Sequence, residues 1–166
     1  MQRVVVLGPG GAGKTQLAHA VAARTGLPVV HLDRIFWREE WKPAPRDEAR
    51  RELEAVVAGE RWILDGNFLD AGDARFERAD TVIFLDLPRR TCLRRALWRL
   101  VRDRSRTRPD LPDHEGFDLP FVRWIWRYPH EDRPRVLALL DSVSGADIRR
   151  LRSPREVRRY VATLSG

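Results

Sequence analysis

Eight residues, Gly8-Pro9-Gly10-Gly11-Ala12-Gly13-Lys14-Thr15, have the types and spacing to hold a chain of phosphates. They fit G-x-x-x-x-G-K-[ST], the P-loop pattern. A shuffled chain with 11 Gly and two Lys would match it about 6 times in 10,000, so the match is specific. Glycines let successive backbone N–H groups turn inward at the first turn of a helix, where the dipole is positive and phosphate charge is welcome. Side chains would block that approach. Lys14 is expected to bridge the β- and γ-phosphates as a compact cation, and the Thr15 hydroxyl to ligate Mg²⁺. The expected nucleotide-binding set is Gly8, Gly10, Gly11, Ala12, Gly13, Lys14, Thr15 and Gln16.

Two carboxylates stand where such chemistry would need them. Asp65 follows the apolar run Trp62-Ile63-Leu64 and is expected to hold Mg²⁺ through a water, with Thr15 as the direct ligand. Asp33 follows Pro28 to Leu32, at the expected carboxyl end of a strand, the edge where open parallel sheets place ligands. There it would orient or deprotonate an acceptor hydroxyl, with Arg34, Trp37 and Trp41 around it; a loop cap beside apolar packing is the plainer alternative. Arg50, Asn67 and Arg133 are further candidates for the acceptor, although Arg50 lies on a helix face that solvent alone would explain. Asp86, after the fourth apolar run, reads as a helix N-cap before Leu87-Pro88.

A second cationic feature follows. Arg95, Arg99 and Arg102 recur at helical spacing, and three like charges on one face repel unless an anion sits there. They run into Arg104, Arg106 and Arg108 and a proline-studded segment ending at Pro120. The stretch 102–120 reads as an arginine-bearing lid that would exclude water and neutralise developing charge. A basic surface for nucleic acid is the other reading. Arg99 and Arg108 are expected to act catalytically with Lys14 and Asp33, and Arg95 to bind the nucleotide. Arg155, in the loop 152–155, would border the adenine.

These side chains need a frame, and the pattern supplies one. Arg3 to Leu7, Pro28 to Leu32, Arg61 to Leu64, Thr81 to Leu85 and Ala146 to Leu151 read as strands. Thr15 to Arg24, stopped by Gly26, Pro45 to Ala58, stopped by Gly59, Phe121 to Tyr128 and Arg133 to Leu140 read as helices. Another helix carries Leu93, Ala96, Leu97, Leu100 and Val101 inward. Ser153-Pro154-Arg155-Glu156 is a capping box opening the last one. Alternating strands and helices predict an α/β chain.

The 166 residues, 43% apolar, suffice for a single domain with a proper core over 1–166. No apolar run approaches a membrane span and no signal region opens the chain, so a soluble cytoplasmic protein without a membrane partner is expected. Cys92 alone excludes an internal disulfide and is expected to be a buried thiol. The net charge of +7 suits polyanionic partners, nucleotides or nucleic acid, and equally an arginine-rich solvated surface. No helix-turn-helix or zinc finger is legible, which lowers the nucleic-acid alternative.

The chain resembles the adenylate-kinase-like group of P-loop kinases in Gly8 to Thr15, in Asp65-Gly66 after an apolar strand, and in the arginine-rich segment after the fourth strand. It is more closely similar to the bacterial topology modulation protein family. That likeness rests on His31-Leu32-Asp33, Phe36-Trp37, Trp62 to Asn67, Thr107-Arg108-Pro109-Asp110 and Trp124-Ile125-Trp126. The resemblance implies a P-loop NTPase three-layer α/β/α fold, with a five-stranded parallel sheet in the order 2-3-1-4-5. It also implies ATP and Mg²⁺ as cofactors, and transfer of the γ-phosphoryl group to a small-molecule or nucleotide acceptor. The alternative is a nucleotide-gated DNA- or RNA-binding protein with weak ATPase or adenylate kinase side activity. His31 is expected to be a hydrogen-bonding residue at a strand end.

Overall fold

In the computed structural model, residues 1–38, 42–69, 74–102 and 119–164 are described, with no side-chain detail for 100–102. Most of the expected lid, including Arg104, Arg106 and Arg108, lies outside the described residues, as do Trp41 and the side chain of Arg102.

Five β-branched or leucine-rich runs form a parallel sheet: β1 (Arg3–Leu7), β2 (Val29–His31), β3 (Trp62–Asp65), β4 (Thr81–Leu85) and β5 (Asp147–Leu151). The spatial order is β2-β3-β1-β4-β5, as the resemblance implied. The central strands β1, β3 and β4 are buried almost throughout because helices cover both faces. The edge strand β5 is exposed over Asp147, Ile148 and Arg149, and its charges discourage further pairing.

The helices are α1 (Lys14–Thr25), α2 (Leu32–Phe36), α3 (Arg46–Ala58), α4 (Ala74–Arg78), α5 (Arg89–Arg102), α6 (Leu119–Arg127), α7 (Asp132–Ser142) and α8 (Pro154–Thr163). One face of the sheet packs Val5, Leu64, Val82 and Phe84 against Leu32, Ile35, Leu53, Phe76, Val136 and Leu140. The opposite face packs Val4, Val6, Ile63 and Ile83 against Leu17, Val21, Cys92, Ala96 and Ile125. Alternate residues of one strand thus feed two separate cores.

Several local expectations are corrected. β2 stops at His31, and the chain turns at once into α2, so Asp33 sits in a short helix rather than at a strand end. Asp65 is instead the last residue of β3 itself. Neither α2 nor α4 is foreshadowed by a periodic pattern, since five residues barely exceed one turn. Leu97, expected inward, is 43% exposed, whereas Cys92 and Ala96 carry the packing of α5. Asp86 is no N-cap: the carbonyl of Pro88 accepts from the amides of Thr91 and Cys92 and opens α5. Trp126 lies off the apolar face of α6, 51% exposed, and Arg89 stacks over its ring at 4.0 Å.

Candidate active site

The loop between β1 and α1 is held from three sides. Gly13 takes a left-handed conformation (φ 95°) that swings the chain into α1, leaving Lys14 and Thr15 in the first turn. From the segment after β3, the Asn67 side-chain oxygen accepts from the Gly8 amide at 2.9 Å. From α5, the Arg95 guanidinium donates to the Ala12 carbonyl at 3.0 Å. The approach is so close that one glycine is sterically required and a second is crowded by aromatic rings. A Cβ on Gly11 (φ +75°) would stand 2.3 Å from the Cys92 carbonyl oxygen, and one on Gly10 would stand 2.6 Å from the Phe121 ring. The Lys14 ammonium donates to the carbonyls of Gly8 (3.0 Å) and Pro9 (3.4 Å), within the loop it is expected to serve.

Thr15 and Asp65 come together across the sheet edge. The Thr15 hydroxyl donates to Asp65 Oδ2 at 2.7 Å, and His31 Nδ1 lies 3.0 Å from the same oxygen. The parallel register of β2 and β3 produces this, because it sets His31 opposite Asp65. Asp65 is 4% exposed, and its Oδ1 is buried with no hydrogen-bond partner. A buried carboxylate oxygen left bare beside a hydroxyl is costly unless something polar completes it, and a hard cation with oxygen ligands fits that donor set. Among the described residues no group of three or more His, Cys, Asp and Glu gathers to hold a metal. A cation here would depend on phosphate and water for its remaining ligands.

The other expected residues are dispersed. Asp33 and Trp37 are half-buried in and just after α2, while Arg34 there is exposed. Arg50 is exposed and pairs with Glu54 at 2.8 Å, as the solvated-face reading requires, so the geometry does not place it at the loop. Asn67 holds the loop through its side-chain oxygen, which accepts from the Gly8 amide. Gln16 and Arg155 are exposed, and Arg99 is half-buried on α5 beyond Arg95. The Arg133 Nε and a terminal nitrogen donate to Asp86 at 2.8 and 3.1 Å.

Two arrangements were not legible in the chain. Asp86 also accepts from Arg150 at 2.8 and 2.6 Å, so one carboxylate at the end of β4 grips two guanidinium groups. Burial pushes the Asp86 carboxyl up, but the hydrogen bonds and charges of Arg133 and Arg150 outweigh it and hold it below its ordinary range. Arg75, only 1% exposed, donates to the carbonyls of Asn67 and Phe68, both at 2.7 Å, and so fixes the segment that carries Asn67. With 29 arginines in the chain, nothing marks Arg75 or Arg150 in advance. Finally, burial pushes the Cys92 thiol up to about 11, against the lowering influence of Arg95 and Lys14, so it packs as an inert apolar group.

A glycine cradle, a lysine, a threonine–aspartate pair and an arginine on the loop together suit the binding of a nucleotide's phosphates. The family model described as isopentenyl transferase matches residues 1–86, just over half of the 166. The chain belongs to the isopentenyl transferase family. The part of this family's model that matches runs from β1 through the loop to Asp86, and leaves out α5 to α8. Among the solved structures similar to this family member over nearly all of its length are three small-molecule kinases. A shikimate kinase from Acinetobacter baumannii, in complex with shikimate, is 16% identical over 98% of this chain and 89% of its own, with a TM-score of 0.58. A gluconokinase from Sinorhizobium meliloti 1021 is 17% identical over 99% and 93%, with a TM-score of 0.56. A sugar kinase from Janibacter sp. HTCC2649 is 18% identical over 98% and 93%, with a TM-score of 0.51. At these identities the likeness establishes a shared P-loop kinase fold. No curated protein matches the chain.

Proposed function

We propose that the protein is an ATP-dependent phosphotransferase of the adenylate-kinase-like type, a soluble cytoplasmic kinase of one domain acting on a small-molecule or nucleotide acceptor. The observation that carries this reading is the pairing of Thr15 with Asp65, whose second oxygen is buried and bare, directly beside the glycine cradle. Thr15 and Asp65 would hold Mg²⁺, which supplies charge neutralisation between phosphate oxygens. The inward amides of residues 10–15 would bind the phosphate chain. Lys14, released from the carbonyls of Gly8 and Pro9, would move onto the transferring group, and Arg95 with Arg99 and Arg108 would add charge from the lid side. His31 would keep the Asp65 carboxylate turned toward Thr15. Asp33 would orient the acceptor hydroxyl, and Arg155 would border the base. The finer likeness to the bacterial topology modulation family is supported by its sequence patterns alone.

The test is ADP release from ATP and Mg²⁺, with and without a panel of nucleosides, nucleoside monophosphates and hydroxylated metabolites. One compound is expected to accelerate release, and Lys14→Ala to abolish the acceleration by about a hundredfold or more while circular dichroism stays native-like. Turnover unchanged in that variant would sink the assignment.

The family match favours a second reading, transfer of an isopentenyl group, since a cradle for a diphosphate would serve both chemistries. The kinase reading is preferred because the kinase likeness spans the whole chain whereas the family match stops at Asp86. Loss of isopentenyl diphosphate with no ADP formed from ATP would reverse that order. A nucleotide-gated nucleic-acid binder is the third reading, supported by charge alone, and duplex binding that steepens as salt falls would be its mark.

A further inference from the structure

A cavity of about 650 Å³ opens where the ends of β4 and β5 meet the phosphate loop. Pro9 forms one wall, and the Pro9 carbonyl is one of the two that Lys14 touches. Arg89, Arg133, Arg150, Arg152 and His130 line the rest, together with Asp86 and Tyr128. Four guanidinium groups against one carboxylate leave a surplus of positive charge in a pocket of metabolite size. The cations do not drift on a solvated face, because Asp86 holds Arg133 and Arg150 by four hydrogen bonds of 2.6 to 3.1 Å. Asp86 is anchored in turn by its own amide, which donates to the Leu151 carbonyl at 2.9 Å. Each of the two arginines uses Nε and one terminal nitrogen on Asp86, which leaves its other terminal nitrogen to face a ligand. Beside them the Tyr128 hydroxyl is buried with no hydrogen-bond partner. Guanidinium groups held in place at the wall of a metabolite-sized cavity are suited to an oxyanion.

We infer that this cavity binds the acceptor through an oxyanion, a phosphate or carboxylate group, so that the acceptor is an anionic hydroxyl compound that reaches the phosphate loop past Pro9. The inference deepens the kinase reading and rests on it for the acceptor's role, whereas the anion site stands on the cavity alone. Arg150 and Arg152 are thereby binding residues, and Asp86 positions Arg133 and Arg150. The side around Asp33 and Trp37 then contributes orientation of the hydroxyl at most.

The test uses the full chain with its loop filled by a non-hydrolysable ATP analogue and Mg²⁺, and titrates inorganic phosphate calorimetrically. One saturable site is expected. Arg150→Gln should weaken it tenfold or more. Arg152→Gln, an exposed residue outside the Asp86 clamp, should weaken it about threefold with an unchanged melting temperature, which guards against a folding artefact. No saturable binding, equal binding in both variants, or loss of the site once the analogue is bound would each overturn the inference; the last would make the cavity part of the nucleotide site. The acceptor panel separates the two readings. Phosphate bound as expected while only neutral polyols accelerate ADP release overturns the cavity as acceptor site. Phosphate bound as expected with no acceleration by any compound overturns the kinase reading and leaves the anion site standing.

Discussion

At the scale of single residues, the site is a set of close approaches. Gly11 is the tightest: its φ is positive, and an added methyl would stand only 2.3 Å from the Cys92 carbonyl oxygen, which leaves no room for a side chain. Backbone in contact with backbone cannot give way as a flexible side chain can. Gly11→Ala is therefore expected to cost about 2 to 4 kcal/mol in urea unfolding and to abolish nucleotide binding, since α5 must lift from the loop. At Gly10 the obstacles are the Phe121 and Trp124 rings, side chains in place of backbone, so Gly10→Ala should cost less. Cys92 gives a chemical reading of the same packing. With the thiol fully buried and pushed up to about 11, alkylation of the native protein at pH 8 should run about a hundredfold slower than in urea. Fast native labelling would mean that α5 does not rest on the loop.

At the scale of elements, each helix is placed by what it must cap or cover. The last one is the clearest. The Ser153 hydroxyl accepts the Glu156 amide at 3.2 Å, and Glu156 returns to the Arg152 amide at 2.8 Å, the reciprocal box that the sequence announces. Ser153→Ala should lower stability by about 1 kcal/mol, read as a shifted urea midpoint with an unchanged slope. The segment between β3 and α4 is positioned differently. Arg75 reaches back to the carbonyls of Asn67 and Phe68, and Asn67 in turn holds the Gly8 amide. Two elements distant in sequence thereby fix the start of the phosphate loop. On the other flank, α5 supplies Arg95 to the Ala12 carbonyl, so the arginine stripe does begin at the loop. No helix among the described residues is long and apolar enough to cross a bilayer.

At the scale of the whole molecule, a carboxylate ties elements together at each end of the sheet. Asp86 binds Arg133 from α7 and Arg150 from β5, and Asp80, at the opposite end, accepts from the amides of Gln2 and Arg3. Burial opposes ionisation at both carboxylates, and the hydrogen bonds outweigh it, so both are lowered from the ordinary 3.8. A depressed folded value means stability that is complete above the unfolded value and lost as pH falls through the folded one. Melting temperature should therefore hold from neutrality to about pH 5 and fall below pH 4. Asp86→Asn should lose about 2 kcal/mol at pH 7 and show a shallower acid decline. An acid decline equal to that of the native chain would remove Asp86 from this account.

The phosphate loop, the five strands, the capping box and the buried thiol were legible in the chain itself. Each depends on neighbours within a few residues: glycine spacing, β-branched runs, a serine three places before a glutamate. Asp65 was legible for the same reason, as the polar end of an apolar strand. The tertiary structure alone decided that His31 faces Asp65, that Asn67 serves Gly8, that Arg75 is a buried clamp and that Asp86 joins two arginines instead of capping α5. Those pairings span 8 to 64 residues and arise from strand order and register. In a chain with 29 arginines, composition gives every carboxylate many possible partners, and only the parallel sheet selects among them.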